Sequence, residues 1–568
     1  MTRTRIALVV AAVLLAVGLF SSLILRKEPA GDPLDFLPAD TQFLIDLREP
    51  VTFYEDFRQS RLGERLAAIR WDELLRRWGR SEDEAADFQE EADKIEAFLA
   101  GPVFREVFGR QALLALLPAA SGEGVNNRPL ESLVFISRPR HRTEALALLT
   151  PLLTHETRQE KEIYHGRELR TYFFEEGVAL SVSVGKGLFL ASFSANTLRR
   201  CLDLAENEPA AGPDRLLDNS SYLALRKRAH GKDRLFVYGD PRDLPILISR
   251  VAGWEETKGL KQDSGNDAPL RASAFFCETV PDRLECSSIL GTAPGTTMPE
   301  VPLPRTDDAL ALAPASSLYH FWTNLLDLPR LLEEMGKVQP LRNILDQGEN
   351  GLVRKTGLSI PEFCALFDSR ISLTVTGIRG NGMFPLPRFN GRLAVRDQER
   401  LDRAFDALFA EKELRSREFA WGRIQTLILA GGLLQPSWTF RDGYLHFADS
   451  PDQLVRGLAA PDAPLNESPL FRQTDVGLLE PNNMITYVSC PAFLDGFRQI
   501  VVWGATVLAM MDPERGDRVN ALVKLVIVPF LDGMKMFAAG SSRLLARPSE
   551  WGAESALIFA VPTDEEKK

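Results

Sequence analysis

The sequence predicts an α+β protein in which an N-terminal transmembrane helix is followed by two tandem duplicated antiparallel α+β domains. Three observations predict this. Ile6 to Leu25, "IALVVAAVLLAVGLFSSLIL", is a run of twenty residues without a charge. As a helix rising about 1.5 Å per residue it covers the roughly 30 Å hydrocarbon core of a bilayer. The phrase "FLPADTQFLIDLREPVTFYEDF", from Phe36, returns as "LALAPASSLYHFWTNLLDLPRLLEEM", from Leu310, with Pro38 and Pro314 aligned. Between and after these phrases, short apolar strands alternate with Gly/Pro turns and amphipathic helices in no regular order. That pattern fits antiparallel α+β better than a parallel βαβ series.

Each element can be justified in turn. Residues 1–27 read as an uncleaved signal-anchor with its helix at 6–25. The apolar run exceeds the roughly 7–15 residues of a signal-peptide core, basic residues follow it directly, and no lipid-accepting cysteine is near. Arg3, Arg5 and the free amine outweigh Arg26 and Lys27, which favours the N-terminus inside. The bulk of the chain is then expected in the periplasm, tethered to the inner (cytoplasmic) membrane. A net charge of −11 argues against nucleic acid as a partner, since phosphate binding needs a concentrated positive face. The basic run 223–232, "LALRKRAHGK", reads as a solvated helix end.

The first repeat domain is expected over 33–290 and the second over 309–562. A Pro/Thr-rich linker, 291–308, joins them, and 563–568 form a charged tail. "FGRQALLALLP" (108–118) faces "FDSRISLTVTG" (367–377), and 133–153 face 391–411 as a strand running into a helix. The cleanest match is "VGKGLFLASFSANTLRRCL" (184–202) with "FRDGYLHFADSPDQLVRGL" (440–458), which needs no gap. Gly187 and Gly443 suit hairpin turns, and Ser194 and Ser450 stand where helix N-caps belong.

The halves also differ. The first holds extra helical sequence at 71–101, with Trp71, Leu74, Leu75 and Trp78 on one face and a capping-box spacing at Ser81 and Glu84. The second holds an apolar stretch, 501–531, which Asp512-Pro513 divides into a helical hairpin. Its residues Val502, Trp503, Leu508, Met511, Leu522, Leu525, Val526 and Phe530 admit two readings. One is a buried core pair; the other is a face for a protein partner, an apolar ligand or a membrane surface. Its counterpart in the first half, 251–270, is polar and Gly-rich.

Of five cysteines, Cys201, Cys364 and Cys490 stand alone in apolar surroundings and read as core residues. In "FFCETVPDRLECSSI", a turn at Pro281-Asp282 sets Cys277 directly opposite Cys286, so a disulfide or two reduced packing thiols would both fit.

The opening "LPADTQFLIDL" after a signal-anchor, followed by a helix and strand-hairpin-helix units, resembles an uncharacterised family of bacterial envelope proteins. They form a domain of unknown function whose extracytoplasmic region opens with a Leu-Pro-Ala-Asp-Thr strand. The resemblance rests on Leu37 to Thr41 and implies envelope location and fold kinship. In the second half Ser316 replaces the acidic residue of the motif.

Familiar chemistries find little support. The six histidines (141, 155, 165, 230, 320, 446) form no HExxH, and Cys277 and Cys286 lack zinc-like spacing, so no metal or other cofactor is expected. "SVGKGLF" and "GIRGNGMF" are hairpin turns rather than phosphate loops, and "GSSR" is no nucleophile elbow. Asp40 reads as a turn residue bonding nearby amides. The expected role is a non-catalytic binding or envelope-structural protein. The alternative is an envelope-polymer hydrolase using an unrecognised carboxylate pair.

Overall fold

In the computed structural model the chain divides into two compact units, Met1–Pro281 with Glu285–Met298, and Asp282–Leu284 with Pro299–Lys568. The structure describes residues 31–118, 129–139, 158–174, 179–185, 187–206, 215–229, 233–239, 270–280, 282–292, 301–337, 339–380, 384–548 and 550–561. The predicted membrane helix, the turn residue Pro281, the polar stretch 251–269 and the tail lie outside them.

The first unit contains β1 (Phe43–Arg48), β2 (Gln111–Leu116), β3 (Leu133–Arg138), β4 (Arg158–Tyr164), β5 (Arg167–Phe173), β6 (Ala179–Gly185), β7 (Leu188–Ser192), β8 (Leu235–Gly239), β9 (Leu270–Val280) and β10 (Arg283–Thr292). Their pairings give the order β10-β9-β8-β1-β2-β3-β7-β6-β5-β4. Its main helices are α1 (Pro50–Gln59), α2 (Trp71–Arg77), α3 (Glu82–Ala100), α4 (Ala195–Glu206) and α5 (Ser220–Arg228). Strand alternation puts Leu44, Leu113, Ile136, Leu190 and Phe236 on one face, where they pack with Leu198, Cys201 and Leu202 of α4 and Tyr222 of α5. The opposite face, with Val182 and Phe189, packs Val51 of α1 and the aromatic pair Phe104 and Phe108.

In the second unit run β11 (Tyr319–Thr323), β12 (Phe367–Gly380), β13 (Pro385–Val395), β14 (Leu414–Phe419), β15 (Gly422–Leu427), β16 (Ser437–Arg441), β17 (Tyr444–Ala448), β18 (Met484–Ser489), β19 (Phe537–Arg547) and β20 (Glu550–Phe559). Their order is β20-β19-β18-β11-β12-β13-β17-β16-β15-β14. Strand for strand, this is the order of the first unit. One sheet face packs α6 (Gln398–Phe409) through Leu401, Ala404 and Phe405. α7 (Pro451–Leu458) sets Leu454 against Ile424 and Ala448. Each sheet ends on a charged strand, "RQEKE" within β4 and "RSRE" within β14. Charge on an edge strand discourages pairing with other chains.

Local signals are realised as physical contacts. Ser450 Oγ accepts from the Gln453 amide and Ser194 Oγ from the Thr197 amide, capping α7 and α4. Gly187 and Gly443 take φ of 71° and 77° at matching hairpins, a region open to glycine without penalty. Ser81 and Glu84 form a reciprocal capping box at α3.

The extra helical sequence does form α2 and α3, with Leu74 and Ala85 buried, Trp78 half exposed and Phe88 meeting Trp71 edge-on. Other readings require correction. Asp40 does not bond local amides. Its carboxylate receives the Arg200 guanidinium at 2.7 Å, while Thr41 Oγ donates to the Pro38 carbonyl and makes the turn. Residues 301–308, expected in the linker, are seated in the second unit. Arg305 pairs with Asn482, and Asp307 is buried.

Candidate functional site

The apolar stretch of the second unit is a longer hairpin than the periodicity alone suggested. Its first arm is α8 (Cys490–Met511), in which Pro491 occupies the first turn, where a missing N–H costs nothing. Asp512 ends that arm and caps the next: its carboxylate accepts from the Arg515 amide at 3.1 Å. The second arm is α9 (Pro513–Leu522), a π-turn at Val523–Ile527, and α10 (Val528–Met534). Pro529 explains the π-turn, since a proline has no N–H and clashes with the carbonyl four residues back, here Leu525. The arms approach closely because Gly516 has no side chain. A Cβ there would lie 2.1 Å from the Cα of Ala509.

The base of the hairpin is fixed to the sheet. Gly496 lies against Ile378 of β12, and Phe493 stacks on Tyr319 of β11 at 5.6 Å. Trp503 meets Phe384 edge-on at 5.4 Å. Lys535 joins Asp495 at 2.5 Å and Asp532 at 3.1 Å, and Arg498 reaches Asp532 at 3.3 Å. Burial alone would lower the pKa of the Lys535 ammonium, but its two carboxylates raise it on balance.

Towards the tip the hairpin is exposed. α9 packs chiefly on α8. Met510 and Met511 are 72% and 80% exposed, and Val502 on the same arm is also open, as is Phe530 nearer the base of the second arm. Trp503, Leu508, Leu522, Leu525 and Val526 are half-buried. α8 is long and apolar enough to cross a membrane by length and composition, and 11% of that stretch is buried. The structure thus brings the predicted residues together in one hairpin, with Val502, Met511 and Phe530 exposed and the other five half-buried.

Cys277 and Cys286 are joined as a disulfide across β9 and β10, their Cα atoms 4.2 Å apart. Cys201, Cys364 and Cys490 are free and buried.

The structure also holds two polar networks that sequence reasoning missed. In the first unit, Arg226, read as part of a solvated helix end, turns inward. It donates to Asp233 at 2.7 Å and Asp46 at 3.2 Å, both carboxylates being buried, and it lies 4.4 Å from the Phe236 ring. Burial raises the pKa of Asp46, against the lowering pull of the Gln111 hydrogen bond and of Arg226. In the second unit, His320 bonds Thr374 Oγ1 through Nδ1 and Asp307 through Nε2, each at 2.8 Å. Asp307 also accepts from the Ala309 amide at 2.7 Å.

The order Thr-His-Asp is that of a nucleophile, a base and its orienting carboxylate. A general base must, however, come within hydrogen-bond reach of a substrate proton. His320 is fully enclosed and both its ring nitrogens are engaged, so this network reads as structure.

Beside it, Arg392 pairs with Asp308, bonds Ser372 and stacks on Tyr444. His446, opposite Arg392 on β17, is buried; burial and the guanidinium charge push its pKa down to about 4. An imidazole that titrates near pH 6.5 when unfolded then favours the fold above that pH, and the contribution is lost as pH falls towards about 4. His446→Gln is expected to flatten the acid limb of the second unit's stability curve over this window by about 2–4 kcal/mol. Denaturant titrations of both proteins at pH 4.5 and 7.5 measure it.

Among the described residues no His/Cys/Asp/Glu group could hold a metal ion. A cleft in the first unit, lined by Tyr54, Glu55, Arg58, Glu64 and Arg105, contains two carboxylates, one of them paired: Glu55 meets Arg105 at 3.2 Å.

No family model matches the chain, and no curated protein matches it. Among solved structures it is similar to crystal form III of TP0453, at 11% identity and a TM-score of 0.24, covering 47% of this chain and 82% of that one. Crystal form I of the same protein gives 13% identity, a TM-score of 0.24, and coverage of 46% and 80%. A TM-score this low carries no functional argument.

Proposed function

We propose that the chain is a membrane-anchored, extracytoplasmic protein with a non-catalytic binding or structural role in a bacterial envelope. Two units of one strand order, in this reading, descend from a tandem duplication. The kinship suggested by the Leu-Pro-Ala-Asp-Thr opening belongs to the same proposal. The observation that carries it is the apolar hairpin: a soluble protein rarely leaves so large an apolar projection open unless something binds there. The uncharged run 6–25 supports the anchor, and the Cys277–Cys286 disulfide supports an oxidising compartment.

The test is direct. In a bacterial host, a reporter enzyme active only outside the cytoplasm is fused after Lys568, and membranes are washed with alkaline carbonate. The expected result is an active reporter retained in the membrane, with two fewer alkylatable thiols in denatured protein before reductant than after. An inactive reporter, or full release by carbonate, would overturn the reading.

A further inference from the structure

We propose, resting on the anchored reading above, that the outward face of α8 is a lipid-bilayer contact that lays the second unit on the membrane to which the chain is tethered. The face is a single stripe. Val502, Thr506 and Met510 recur every fourth residue, which sets them in line on a helix, and Met511 extends the stripe at the tip.

Its chemistry suits hydrocarbon better than a protein partner. From Ile500 to Met511 no side chain is charged, and only Trp503 and Thr506 bear an N–H or O–H. Thr506 uses its hydroxyl internally, donating to the Val502 carbonyl of its own helix at 2.9 Å. Protein interfaces carry about one hydrogen bond per 100–200 Å², and this stripe offers almost nothing to make them with. A bilayer asks the reverse, that backbone and side-chain polar groups be satisfied from within.

The charges are placed accordingly. Asp495, Arg498, Asp532 and Lys535 gather at the base of the hairpin, and those beyond the tip pair with each other: Arg518 with Glu514 at 2.7 Å, Arg515 with Asp512 at 3.5 Å. The second arm has exposed polar residues, Glu514 and Asp517 on α9 and Lys524 in the π-turn among them. Such an amphipathic layer sits with its apolar side about 5–10 Å into the boundary between headgroups and acyl chains. In the anchored reading the uncharged run 6–25 tethers the chain to a bilayer and so raises the local concentration of lipid surface around it. With the tip charges paired internally, binding needs no anionic lipid.

The experiment uses the full chain reconstituted in phosphatidylcholine vesicles, with and without phosphatidylglycerol. Met510→Cys carries an environment-sensitive dye; Arg415→Cys, on the exposed edge strand β14, is the control. The native cysteines do not compete, being buried or disulfide-bonded. Expected is a blue-shifted Met510 dye in both vesicle types. Iodide should quench it at least threefold less than the control, and spin-labelled lipid should quench it.

Equal iodide quenching at the two sites overturns the proposal while leaving the anchor intact. Shielding from iodide without quenching by spin-labelled lipid also overturns it, because a protein surface then covers the stripe. Failure of the chain to float with the vesicles brings down the anchored reading and this proposal with it.

Discussion

Replacing Arg226 with alanine is expected to destabilise the first unit by about 3–5 kcal/mol, the usual consequence of removing one partner from a buried ionic group. The guanidinium stands between two carboxylates that are almost wholly out of water, and Gln111 donates to only one of them, Asp46, at 2.9 Å. Without Arg226, two negative charges share an apolar face with Leu113 and Phe236. The stacking on Phe236 goes as well.

The damage is directional in pH. Asp46 already has a raised pKa, so the native state holds its proton to higher pH than the unfolded chain does. Stability contributed by that group therefore falls as pH rises, and losing the guanidinium steepens the fall. The deficit of Arg226→Ala is expected to be larger at pH 8 than at pH 4.5. Hydrogen exchange of the amides in β1, β2 and β8 reads it locally, and Arg226→Lys should recover part of the loss because the charge remains while the fork is lost.

The second large effect is expected from His320→Leu. The substitution is close in volume but removes both nitrogens, stranding a buried carboxylate and a buried hydroxyl, which costs about 2–4 kcal/mol. Asp307 keeps the Ala309 amide and a distant Arg392 at 3.8 Å, so the segment before β11 loosens without the unit unfolding. Exchange should accelerate at Ala309 and along β11 while β14 to β16 stay protected. His320→Gln, which can bond at one of the two positions, is expected to fall between. If His320→Leu matched the wild type in denaturant, the imidazole would be dispensable to the core.

Much of this architecture was legible in the sequence because it is written in local chemistry. A capping serine must precede its helix by a fixed step, and a tight hairpin needs a positive φ, so Ser194, Ser450, Gly187 and Gly443 disclose their positions. Alternation discloses the strands. The opposed cysteines follow from one turn residue and a count. The apolar hairpin was visible as composition, but its exposure was not, since a buried pair of helices reads the same residue by residue.

The polar networks stayed hidden for another reason. Asp46, Arg226 and Asp233 belong to a strand, a helix end and a loop, and their meeting depends on which face the helix presents after the sheet is complete. "RKR" at 226–228 carries no sign that its first residue points inward. Asp307 likewise sat in a stretch whose prolines and threonines suggested a linker. One signal was present: the aspartate of "FLIDL" interrupts an otherwise apolar strand, and a carboxylate buried there needs a partner.

Two copies of one strand order in a single chain invite a hazard of assembly, in which a nascent strand is captured by the wrong copy. The two networks, each specific to its own unit, would penalise that error. In the alignment that pairs Pro38 with Pro314, Leu44 falls on His320 and Asp46 on Trp322. Were β1 to slip into the slot of β11, a leucine would confront Asp307 and Thr374 with nothing to offer either. An aspartate would meanwhile be driven among Leu310, Phe471 and Ile485, the neighbours that Trp322 keeps dry. Each central strand thus carries its own key, and the wrong key does not turn.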